Sequence, residues 1–119
     1  MQRVLVVDDN LSVAQQIQSI LHTSSDFVCV GHAKNGAEAI KLNHGENPDI
    51  ICMDMEMPGM DGLTAVRSLT KLDKTVKVVM VTSFGSIDSW RAEALKAGAR
   101  DIVTKPFDAE TLLTVLRSL

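Results

Sequence analysis

Val4-Leu5-Val6-Val7-Asp8-Asp9 decides the fold of this chain. Four aliphatic residues in unbroken succession are the pattern of a strand buried on both faces, the kind found in parallel sheets covered by helices. The run stops at two acids, and residues 11–22 then place Val13, Ile17, Ile20 and Leu21 at helical spacing. A strand that ends in carboxylates and leads into an amphipathic helix is the first unit of an alternating β/α chain.

Four more units follow. Residues 27–30 read as a second strand, then Asn35-Gly36 breaks the chain before a short helix through Leu42. Residues 43–48 are turn-rich, and 49–53 form a third apolar strand ending at Asp54. Pro58-Gly59 and Asp61-Gly62 mark a loop before a helix carrying Leu63, Val66 and Leu69. Residues 76–81 make a fourth strand ending at Thr82-Ser83, and a helix from about residue 86 stops at Gly98, a residue suited to a helix C-terminus. Ile102 and Val103 form a short fifth strand that ends at Lys105-Pro106. Asp108 caps a last helix with Leu112, Val115, Leu116 and Leu119 on its apolar face. Five strand–helix units in succession predict an α/β fold: a five-stranded parallel sheet, doubly wound, with helices on both faces.

The 119 residues suit one domain, 45% of them are hydrophobic, and no linker or repeat interrupts them. The last helix ends with the chain, and the expectation is a single domain over residues 1–119 without an appended output domain. Net charge is −3, the basic residues are scattered, and the aromatics are one Trp and three Phe. Neither an electrostatic footprint for nucleic acid nor a base-stacking surface is expected. Cys29 and Cys52 lie inside apolar runs without metal-ligand spacing and read as reduced, packed thiols. With no signal peptide and no span-length apolar run, a cytoplasmic protein without membrane contact is the expectation.

In an open parallel sheet, ligands bind outside the carboxyl ends of the strands. That rule gathers Asp8, Asp9, Asp54, Thr82 and Lys105 into one candidate site. Three converging carboxylates repel unless a cation intervenes, and a hard divalent ion with oxygen ligands, Mg2+ for preference, answers that need. Asp54 ends the most hydrophobic strand and is the best-placed nucleophile; a carboxylate attacking phosphorus forms an acyl phosphate. The Lys105 ammonium and the Thr82 hydroxyl would then serve the phosphoryl oxygens.

These residues carry a resemblance. Val6-Val7-Asp8-Asp9, Met53-Asp54 through Asp61-Gly62, Val81-Thr82-Ser83, Ala97-Gly98-Ala99 and Thr104-Lys105-Pro106-Phe107 occur in the order and near the spacing of a response-regulator receiver domain. The chain resembles that family of two-component signalling over essentially its whole length. Its Met-Pro-Gly-Met-Asp-Gly loop is most similar to CheY-like chemotaxis receivers and the receiver half of chemotaxis methylesterases. The resemblance implies a flavodoxin-like strand order of 2-1-3-4-5 and phosphorylation of Asp54 by a sensor histidine kinase or phosphotransfer protein. It also implies Mg2+ on Asp8, Asp9, Asp54 and the Met55 carbonyl, and a cis Lys105–Pro106 bond. The receiver would catalyse its own phosphorylation and slow dephosphorylation, and its phosphorylated state would change binding to a downstream protein or output domain.

Three features depart from the family pattern. Ile102 stands where the family often has an aromatic that swings inward as the Thr/Ser side chain moves, so a switch through Thr82 and Ile102 would lack that toggle. The stretch from Thr82 to Ala99 is one residue longer than the common form, which keeps Ser83 as an alternative to Thr82. Glu56 and Phe84, two residues beyond Asp54 and Thr82, fall where the family tunes phosphate lifetime.

Other residues read more plainly. His22, His32 and His44 are expected at the surface, and Met53, Met55, Met57 and Met60 as packing rather than a copper site. Trp90 is either half-buried against a neighbouring helix or an anchor for a partner. Two rival functions compete with a receiver. A small Mg2+-dependent phosphohydrolase would also use Asp54 as nucleophile, although Asp54-Met55-Glu56 is a poor version of the haloacid-dehalogenase acid pair and no cap is present. An inert interaction module would have no reason to keep all five site residues.

Overall fold

The structure, a computed structural model, describes residues 1–55, 61–83 and 87–119. Five strands alternate with five helices: β1 (Gln2–Val7), α1 (Leu11–His22), β2 (Phe27–Ala33), α2 (Gly36–Glu46), β3 (Ile50–Asp54), α3 (Gly62–Leu72), β4 (Lys77–Thr82), α4 (Asp88–Ala97), β5 (Asp101–Thr104) and α5 (Ala109–Arg117). All strands pair in parallel, in the order β2-β1-β3-β4-β5. The doubly wound parallel sheet is the one predicted from the alternation, and its flavodoxin-like order is the one the resemblance implied.

Strand periodicity divides the core in two. Val4 and Val6 of β1, Ile50 and Cys52 of β3, and Val79 and Val81 of β4 pack with Ala14, Ile17 and Leu21 of α1 and Leu112 and Leu116 of α5. Their neighbours Leu5, Val7, Ile51, Met53, Val78 and Met80 pack on the other face with α2, α3 and α4 through Ala39, Ala65, Val66, Leu69, Ala94 and Ala97. Burial on both faces explains why the strands are continuous apolar runs rather than alternating ones. Met53 and Met55 lie in this core, whereas Met57 and Met60 fall outside the described residues.

Strands β1 and β5 extend the apolar runs by two residues each, and two other elements outrun the sequence pattern further. The second helix continues past Leu42 to Glu46, and residues 43–46, read as a turn, are helical. Asn43 makes this possible: it is 6% exposed and its amide donates to Asp73 across the α2–α3 contact. The helix ends where Asn47 adopts a left-handed conformation (φ 53°) with Pro48 following. Strand β2 runs beyond Val30, through Gly31 and His32 to Ala33, because the ladder with β1 continues after a register shift between Val4 and Leu5. Gly31, a breaker by propensity, lies in a strand held by its neighbour. The expected cap is present at α5, where Asp108 accepts a backbone N–H bond, and Asn10 does the same at α1. Helix α4 begins at Asp88 with no side-chain cap, and Gly98 ends it at φ 121°.

The chain's first crossover places β2 on one side of β1, and its second places β3 on the other. The crevice between the ends of β1 and β3 is therefore the topological switch point.

Candidate functional site

Asp8 and Asp9 follow β1, Asp54 ends β3, Thr82 ends β4 and Lys105 follows β5. One carboxylate oxygen from each of Asp8, Asp9 and Asp54 lies within 4.8 Å of the others. Asp8 and Asp54 are buried at 1% and 4% exposure, while Asp9 is open to solvent. The Lys105 ammonium reaches this group from β5, with Nζ 3.0 Å from Asp54 Oδ1 and 3.5 Å from Asp8 Oδ2. Burial alone would lower the lysine's pKa, but the hydrogen bond and charge of Asp54, reinforced by the charge of Asp8, hold it above the ordinary value.

Asp8 is tied down on almost every polar atom. Its N–H donates to the Ala33 carbonyl at 3.0 Å, its own carbonyl faces His32 Nε2 at 2.8 Å, and its Oδ1 accepts from Asn10 N–H at 2.8 Å. The exception is Oδ2, buried and without a hydrogen-bond partner among the described residues; at 3.5 Å, Lys105 is an ion-pair contact rather than a hydrogen bond. A buried, charged oxygen left over in a ring of three carboxylates is the donor set a hard divalent cation takes. The residues present therefore fit Mg2+.

Close packing holds Asp54 from behind. A Cβ on Gly62 would lie 2.6 Å from both the Asp54 carbonyl oxygen and Met55 Cα, so α3 can approach the strand end only through a glycine. The Gly62 N–H donates to the Met55 carbonyl at 3.1 Å, so this carbonyl already serves a backbone partner. Thr82 is 2% exposed, and its carbonyl accepts from Lys105 N–H at 2.8 Å. Ser83 is exposed and lines a cavity of about 250 Å³ with Val13, Gln16, Lys105, Pro106 and Phe107. The Lys105–Pro106 bond is cis. Ile102 is 6% exposed within the core on the α3–α4 side of the sheet. Glu56 and Phe84 lie outside the described residues.

The remaining candidates separate from the site. Cys52 is fully packed, and burial, with a smaller contribution from Cys29, pushes its thiol up to about 12, an inert sulfhydryl. His22 and His44 are exposed, as expected. His32, also expected at the surface, is instead half-buried against Asp8. It escaped notice because Gly31 looked like the end of the strand; an extra turn of the β1–β2 ladder would have placed it opposite Val6, two residues before Asp8. Trp90 is 37% exposed on α4; Ile87 and Leu95 are 43% and 50% exposed.

The fold and the site together define a doubly wound α/β protein with an acidic, lysine-bearing pocket at its switch point. The chain belongs to the response-regulator receiver family: the model for the response regulator receiver domain matches residues 4–117. It is 38% identical over 116 residues to the chemotaxis protein CheY of Listeria monocytogenes, covering 98% of this chain and 96% of that one. The response regulator domain of Thermotoga maritima CheB superposes with a TM-score of 0.92 at 34% identity, covering 99% of this chain and 95% of that one. CheY in the CheX–CheY–BeF3–Mg2+ complex from Borrelia burgdorferi superposes at 0.89 and 34% identity, with 98% and 87% covered. The chain is thus a CheY-type receiver domain of two-component signalling, a signalling switch. Among the described residues, no helix is long and apolar enough to cross a membrane.

Proposed function

We propose that residues 1–119 form one receiver domain in which Asp54 accepts a phosphoryl group from a sensor histidine kinase or phosphotransfer protein. The observation that carries this reading is the convergence of Asp8, Asp9 and Asp54 within 4.8 Å, with Lys105 Nζ 3.0 Å from Asp54 Oδ1. A carboxylate oxygen of Asp54 attacks phosphorus, a new P–O bond forms, and the donor's bond to phosphorus breaks with its electron pair returning to the donor. Asp8, Asp9 and Asp54 would hold Mg2+, which when bound offsets the negative charge of the phosphoryl oxygens. The Met55 carbonyl is the weaker part of the proposed ligand set, because Gly62 already occupies one of its lone pairs. Lys105 releases its contact with Asp54 Oδ1 toward the incoming group, and the buried Thr82 hydroxyl, or Ser83 beside it, donates a hydrogen bond to it. Water later attacks the acyl phosphate and restores the carboxylate, a slow reset.

The output is proposed to be altered binding to a downstream protein or output domain, in the cytoplasm, where a kinase finds ATP. Thr82 pairs with Thr104 and Met80 with Ile102, so a shift at Thr82 reaches β5 through the backbone ladder. With Ile102 packed in the core, the signal passes through that ladder and not through an aromatic swing.

Incubation with acetyl phosphate and Mg2+ tests the chemistry. One acid-stable, base-labile phosphoryl group per chain is the expected result; rapid turnover of varied phosphate esters would instead establish a hydrolase.

A further inference from the structure

His32, a side chain outside the acidic group, touches the backbone of Asp8. It comes from β2, at the sheet edge, and its Nε2 lies 2.8 Å from the Asp8 carbonyl oxygen. A carbonyl oxygen only accepts, so Nε2 carries the proton and donates it. That carbonyl belongs to the peptide plane joining Asp8 to Asp9. Holding the plane sets ψ of Asp8 and gives the rotation at Asp9 a fixed reference, which narrows the angles that the two carboxylates can take to one another.

The other anchors of Asp8 do not tie this plane to the sheet: the Oδ1 bond to Asn10 closes a local turn around it. Its N–H bond to Ala33 holds the preceding peptide plane, and its Oδ1 bond to Asn10 lies within its own turn. Without a donor at position 32, the Asp8–Asp9 plane loses its tie to the rest of the sheet. We infer that His32 is a positioning residue for the acidic group: through its bond to the Asp8 carbonyl it sets the separation of the Asp8 and Asp9 carboxylates, and so the affinity for a divalent cation. The inference rests on the reading of that group as a Mg2+ site. It assigns no contact between His32 and the ion or the phosphoryl group.

The test titrates Mg2+ calorimetrically into the wild type, His32→Gln, which keeps a donor at the reach of Nε2, and His32→Phe, which keeps the ring volume without one. Loss of the bond should weaken Mg2+ binding by about five- to tenfold in His32→Phe, and His32→Gln should stay within about twofold of the wild type. A merely structural role would move both variants together, so rescue by Gln is the discriminating readout. Equal affinity of His32→Phe and the wild type, or equal weakening of Gln and Phe, would overturn the inference. A wild type that takes up no Mg2+ at all would instead overturn the metal reading, and the inference with it. Nitrogen-15 spectra of the metal-free wild type give a measurement independent of how the variants fold. The neutral ring should carry its proton on Nε2; a proton on Nδ1 would refute the bond on which the inference stands.

Discussion

Replacing Asp9 by Asn removes one charge from a group that holds three carboxylates against one ammonium. The oxygens of Asp8, Asp9 and Asp54 lie within 4.8 Å of one another, and Lys105 contacts Asp8 and Asp54. At that separation each like-charge pair costs about 0.9 kcal/mol at the dielectric of water and about 3.5 kcal/mol at an effective value of 20. Asp9 is exposed, so the lower figure applies, and Asp9 faces two partners. Salt does not erase the repulsion, because the Debye length of about 10 Å at 0.1 M exceeds the separation. With the lost attraction to Lys105 set against the two repulsions, the Asp9→Asn protein should be more stable than the wild type by about 1 kcal/mol in a chelating buffer. With Mg2+ the order should narrow or invert, since the variant gives up a charged ligand and gains less from mass action. Urea unfolding followed by circular dichroism, with and without Mg2+, measures both quantities. A metal-free variant no more stable than the wild type would show that the carboxylates do not repel and would refute the electrostatic account of the site.

Other expectations concern the lysine and the glycine behind Asp54. Lys105→Met leaves two buried carboxylates without their cation and should lower metal-free stability by about 2–3 kcal/mol in urea melts, somewhat below the usual cost of breaking a fully buried pair because Lys105 is partly exposed. The pKa of this lysine is raised in the folded state, so its contribution is complete below the unfolded lysine value and is lost as pH climbs through the folded one. The stability difference between wild type and Lys105→Met should thus stay flat at neutral and mildly alkaline pH and shrink only in strong alkali; a decline already near neutrality would contradict the assignment. Gly62→Ala drives a methyl group against the backbone of Asp54 and Met55 and should cost about 2–4 kcal/mol while slowing phosphorylation. An unchanged melting temperature would mean that α3 does not press on the strand end.

Much of this molecule was legible in the amino-acid sequence, for a physical reason. Strands buried on both faces must be continuous apolar runs, and the acids, hydroxyls and lysine that end them stand out as breaks in the pattern. Residues 4–7 therefore announce a strand, and Asp8, Asp9, Asp54, Thr82 and Lys105 announce the rim where ligands bind. What escaped were features set by partners distant in the chain. Asn43 is a turn residue by propensity, yet it sits inside a helix because Asp73 receives its amide. Gly31 and His32 belong to a strand because β1 supplies the ladder. The hydrogen bond from His32 to Asp8 follows from that register, which no local pattern records.

The central claim is that Asp54 is the phosphoacceptor of a Mg2+-dependent transfer. The intact mass of wild type and Asp54→Asn after exposure to acetyl phosphate, each with Mg2+ and with a chelator, tests it most directly. The wild type with Mg2+ should gain one phosphoryl group, and the other three samples none. The same gain in Asp54→Asn, or in the chelated wild type, would contradict it.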